Sequence, residues 1–102
     1  MDVQINITNG ADKEYVILDF TCGIIEPQEL FDYKPLEPVA EGFANKGVII
    51  KGAMPQWLLS YYTHIMHPTR YIAVSVPRVD NNAAVVVATH SKEQQVGNII
   101  QF

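Results

Sequence analysis

The sequence predicts an α/β fold: a small mixed sheet with a central βαβ unit and a main helix on one face. Three observations predict it. Short apolar runs rich in β-branched residues recur along the whole chain, from VQINIT (3–8) to NIIQF (98–102). One stretch, MPQWLLSYYTHIMH (54–67), carries helical spacing instead and sits between two such runs with short connections. The 102 residues are 48% hydrophobic, which supplies one core and a single domain over 1–102.

In chain order, VQINIT alternates apolar and polar residues, the pattern of a half-buried strand. Asn9-Gly10 signals a turn, and EYVILDF (14–20) returns as a second strand, so the chain opens on a β-hairpin. Residues 21–45 contain Pro27, Pro35 and Pro38 and five of the eleven acids. They predict a connector with at most a short helix near PQELFDY, Pro27 at its first position. GVIIKG (47–52) is a continuously apolar strand. Pro55 starts the helix at 54–67 and Pro68 stops it, with Leu58, Tyr62 and Ile65 on one stripe. RYIAVSV (70–76) follows as a buried strand, so 47–52 and 70–76 should run parallel. AAVVVAT (83–89) and NIIQF (98–102) complete the sheet, with turns at DNN (80–82) and SKEQQVG.

Composition narrows the function. Cys22 is the single cysteine, so no intrachain disulfide forms, which fits a reducing, cytoplasmic setting. The N-terminus lacks a basic and apolar leader, and no apolar run is long enough to cross a bilayer. Net charge is −4, against a general binder of duplex DNA. The charge is split: residues 1–45 carry a net −7 and residues 46–102 a net +3, with all three histidines in the second part. An anionic ligand would meet the C-terminal half. Charged residues make up only 18% of the chain, which predicts a surface partly covered by a second copy.

Few residues offer chemistry. His64 and His67, three apart, suit acid–base work near neutral pH, or a semi-buried helix position and a helix-end cap. Their spacing is not the i, i+4 pairing of zinc helices. His90 ends a strand. Arg78 follows the C-terminal end of strand 70–76, where open α/β sheets bind ligands, and its fork can grip a phosphate. Beside it, the turn Gly52-Ala53-Met54-Pro55 and the helix start offer N–H groups to an anion, with Lys51 adding charge. In a βαβ unit the helix runs against its strands, so His67 and Arg78 belong to opposite ends of the sheet. A shared site for them requires two molecules meeting end to end.

The string from GVIIKG through PQWL, HIMH and VVVATHS (47–91) resembles the Csx-three family of type III CRISPR-associated proteins. The resemblance implies a Rossmann-like fold related to domains that sense cyclic oligoadenylates. It implies a ring nuclease that cleaves cyclic tetra-adenylate, or short poly-adenylate RNA, and so turns off antiviral signalling. It also implies manganese as the usual metal and homodimers stacked head to tail into tetramers or filaments. His67 matches the family's catalytic histidine and Arg78 its phosphate-binding arginine, with His64 and His90 the other family histidines. Lys51 and residues 52–55 would line the ligand. The family's Asp-Pro-Arg reads Val76-Pro77-Arg78 here. Its acid is missing, and Asp80 is the nearest replacement. Asp80 and His64 are then the candidate metal ligands. The substitution leaves open a module that binds cyclic oligoadenylate without cutting it, regulating a fused C-terminal domain such as the ATPase some relatives carry.

Overall fold

Alternating residues at the start of the chain form the expected hairpin. In the computed structural model, which describes residues 1–102, β1 (Val3–Asn9) pairs antiparallel with β2 (Tyr15–Cys22). The turn is not a tight Asn-Gly turn. Gly10 has a φ of −83°, and the left-handed positions are Asp12 and Lys13, inside a short 3-10 segment Ala11–Lys13. Gly10 is needed for another reason, since the Tyr15 ring occupies the space where a Cβ would stand.

The remaining strands are β3 (Gly47–Ala53), β4 (Tyr71–Ser75), β5 (Ala83–Thr89) and β6 (Ile99–Gln101). They build one six-stranded sheet in the order β1-β2-β3-β4-β5-β6. β2, β3 and β4 are mutually parallel, and the outer pairings are antiparallel. The predicted βαβ unit is therefore present, with β2 added as a third parallel strand. The connector from β2 to β3 holds a 3-10 helix, Pro27–Asp32, and a short helix α1 (Pro38–Glu41), each with proline at its start. The first of these was expected and the second was not. The main helix α2 (Gln56–Ile65) is shorter than the 54–67 reading: Pro55 caps it and Met66 ends it, leaving His67 just outside.

Parity assigns the two sheet faces. Val16, Leu18, Phe20, Val48, Ile50 and Ile72 face α2, where Leu58, Tyr62 and Met66 meet them, each fully buried. The opposite face carries no helix. It is closed by its own side chains, Tyr15, Ile49, Tyr71, Ala73, Ala84 and Val86, with Ile17, Ile100 and Phe102 alongside. No helix is long and apolar enough to cross a membrane.

Tyr62 ties the connector to the helix. Its ring packs edge-on against Phe20 at 4.9 Å between centroids. Its hydroxyl accepts the Leu36 N–H at 3.1 Å and bonds the Tyr33 hydroxyl. Burial, and next the bond to Tyr33, holds the Tyr62 phenol above its ordinary value near 10. The unfolded chain deprotonates first, so this stability is complete below about pH 10 and is lost as pH rises beyond it. Tyr62→Phe should lower unfolding free energy by about 1–3 kcal/mol at pH 7, because the Leu36 N–H loses its acceptor. Urea titrations should also show the variant losing less further stability than the wild type above pH 10.

Candidate functional site

The candidate residues occupy two rims. At the rim where β3 and β4 begin, α2 ends, and Pro68 turns the chain into β4. His67 N–H donates to the His64 carbonyl at 3.0 Å, and Thr69, buried, anchors the turn by donating its hydroxyl to the Met66 carbonyl at 2.7 Å. β5 runs antiparallel to β4, so its end arrives at the same rim and brings His90. The His90 N–H donates to the Arg70 carbonyl at 2.7 Å. The rings of His67 and His90, 23 residues apart in sequence, meet edge to face at 5.0 Å between centroids. Both residues are exposed, so the pair faces solvent.

The opposite rim holds Arg78 and the turn after β3. Val79 and Asp80 both donate their N–H to the Val76 carbonyl, at 2.9 and 3.3 Å, which curls the segment back after β4. The Asp80 carboxylate accepts the Asn82 N–H at 2.8 Å. The curl returns Asp80 to the backbone of Val76. Arg78 is exposed, and the ion pairs of the chain use other cations. A cavity of about 290 Å³ lies at the histidine rim, and one of about 200 Å³ lies here, lined by Gly52, Met54, Leu59 and Pro77 among others. The first N–H groups of α2 lie beside it, with no acidic residue in the first turn.

Lys51 also lines this cavity, but its ammonium lies on the other face. It shares its face with Ile49, so its ammonium lies over the helix-free side, 3.9 Å from Asp19 and 5.6 Å from the centre of the Phe102 ring. Asp80 and His64 lie at opposite rims. No three His, Cys, Asp or Glu side chains converge within the chain. The residues of one protomer therefore do not fit a manganese ion, which prefers about six oxygen ligands.

Three residues of the histidine rim were missed in the sequence reading: Glu37, Arg70 and Thr69. Glu37 lines the larger cavity with His64 and His67, although it is separated from them by 27 residues or more and lies in the connector. The Glu37-Pro38 pair marks a helix start, and nothing local announces what it faces. Its nearness to α2 also helps burial and Tyr33 to hold the Tyr61 phenol above its ordinary value. Arg70 reaches Ser91 at 3.4 Å and Glu93 at 3.6 Å.

The two-rim arrangement accompanies a clear relationship. Residues 19–101 match the family model described as CRISPR-associated protein (Cas_csx3). The chain belongs to that family. A protein of Aquifex aeolicus (strain VF5), described as uncharacterized, is similar to it at 37% identity over 76 residues, 74% of this chain and 67% of that one. Within this family member, Gly52 is the most constrained rim residue. Its φ is +113°, and an added Cβ would stand 2.2 Å from the Phe20 carbonyl oxygen of the neighbouring strand. Gly52→Ala should cost about 1–3 kcal/mol in chemical denaturation, more than Ala53→Ser beside it.

Proposed function

We propose that the chain is a ring nuclease acting on cyclic tetra-adenylate in type III CRISPR defence. Membership of the CRISPR-associated family supports the setting. The observation that carries the chemistry is the pairing of His67 with His90 on one rim, with a free Arg78 on the other. The five residues of β4 alone span about 16 Å at ~3.3 Å each, so one phosphate cannot touch both groups of one protomer. Protomers working as cytoplasmic homodimers that stack head to tail, into tetramers or filaments, would close each ring between a histidine rim and an arginine rim.

In that setting the chain's task is alignment and proton transfer. The 2′-oxygen of one nucleotide attacks the adjacent phosphorus, the bond from phosphorus to O5′ breaks, and a 2′,3′-cyclic phosphate and a 5′-hydroxyl result. His67 removes the 2′-OH proton or supplies one to O5′, solvent exchanging the other, with His90 in edge contact beside it. Arg78 and the Gly52–Pro55 turn of the facing protomer neutralise charge gathering on the phosphate oxygens. No step is assigned to manganese.

A second reading follows from Val76. Without a carboxylate at that position, and with Asp80 occupied by the Asn82 N–H, the rim suits a module that holds the ring uncut. Calorimetric binding of cyclic tetra-adenylate together with full recovery of uncut ring by chromatography would favour it.

His67→Ala and Arg78→Ala should each slow ring cleavage by at least ~100-fold. Mixed 1:1, they should regain cleavage, because about one rim contact in four then unites an intact histidine with an intact arginine. A mixture as inactive as either variant would end the shared-site reading.

A further inference from the structure

We infer that the outer edge of β1 is a pairing edge for a second copy of this chain, aligned antiparallel with Asn6 opposite Asn6. The two ends of the sheet are unequal. β6, at one end, has three residues, a short edge that offers little to pair with. β1, at the other, runs the seven residues Val3–Asn9 in unbroken register with β2, and holds no charged residue and no proline. An edge strand left this plain is a template for another strand.

The hairpin ladder shows which backbone groups are free. The Gly10 N–H donates to the Tyr15 carbonyl at 2.8 Å, and the Gly23 N–H to the Asp2 carbonyl at 3.0 Å. Both pairs continue the β1–β2 register by one step, so the even-numbered residues of β1 spend their backbone bonds on β2. The N–H groups of Ile5, Ile7 and Asn9 therefore point outward, as do the carbonyls of Val3, Ile5, Ile7 and Asn9. The Val3 N–H is taken by the Met1 carbonyl at 2.9 Å.

The register centred on Asn6 matches these groups to one another. Ile5 of each copy exchanges bonds with Ile7 of the other, and the Asn9 N–H reaches the Val3 carbonyl, which leaves only the Asn9 carbonyl to water. The side chains agree. On the α2 face Ile5 meets Ile7, which is 40% exposed in the single chain. On the other face Gln4 meets Thr8 and the two Asn6 amides meet each other. Nothing charged is opposed within the strand. Asp19, the acid beside Asn6 on β2, lies three strand spacings from its counterpart, about 14 Å, and each is 3.9 Å from its own Lys51. The joint is lateral and stands apart from the end-to-end contact of rims in the proposed function.

Sedimentation of the wild type and of Ile7→Pro tests it. The proline removes an N–H that β2 does not use, a position where an edge strand tolerates it, and circular dichroism checks that the sheet is retained. Ile7→Pro should halve the sedimenting mass of the wild type. The second arm needs no proline. In a Cys22→Ser background, Asn6→Cys, at an exposed position, should form an interchain disulfide under mild oxidation. Non-hydrogen-bonded antiparallel partners stand ~4.5 Å apart between Cα atoms, within disulfide reach. Thr8→Cys, whose counterpart lies about 13 Å along the strand, should cross-link at least about tenfold more slowly. A monomeric wild type, an unchanged mass in folded Ile7→Pro, or equal cross-linking of the two cysteines would each overturn the joint. None of these readouts involves ring cleavage, so either reading can fall alone.

Discussion

A helix that carries the chain from one strand to a parallel neighbour must start where the first strand ends and finish where the second begins. That constraint governs this molecule. α2 leaves the C-terminal end of β3, crosses one face, and delivers His67 to the N-terminal end of β4. Leu58, Tyr62 and Met66 hold it there from within the core, so the histidine rim is positioned by packing rather than by a mobile loop. Once β4 has run its length, Arg78 can only emerge on the far side. The separation of the two groups is a property of the topology, and no side-chain rotation removes it.

The connector couples this framework to the candidate site. Tyr62 on the buried stripe of α2 accepts the Leu36 N–H and shares a hydrogen bond with the Tyr33 hydroxyl, pinning the segment just before Glu37. The same anchor that closes the core therefore sets one wall of the cavity beside His64 and His67.

Much of the architecture was legible because apolar period and proline punctuation are local signals. The hairpin, the parallel β3–α2–β4 unit and the two antiparallel strands after it all follow from them. The rims of His67 and Arg78 follow as well, since only strand direction is needed. What escaped depends on geometry that adjacent residues do not encode. Asp12 and Lys13 take the left-handed conformations that Asn9-Gly10 advertised. Lys51 lies at the foreseen rim, but strand parity sends its charge to the other face. Glu37 meets His64 only through the tertiary fold, and the return of Asp80 toward Val76 depends on a turn whose hydrogen bonds come from backbone.

The sheet keeps its strands in the order in which the chain writes them. A ribosome extruding this polypeptide would lay down each ribbon against an edge already finished, with no gap reserved for a later segment. Assembly can thus proceed as a zipper along the direction of synthesis, the connector between β2 and β3 being the one long closure. The last piece to lock, β6, pairs with the Ala83–Val85 end of β5. His90, at the other end, takes its seat from the neighbouring β4 rim through its N–H on the Arg70 carbonyl, before β6 is needed.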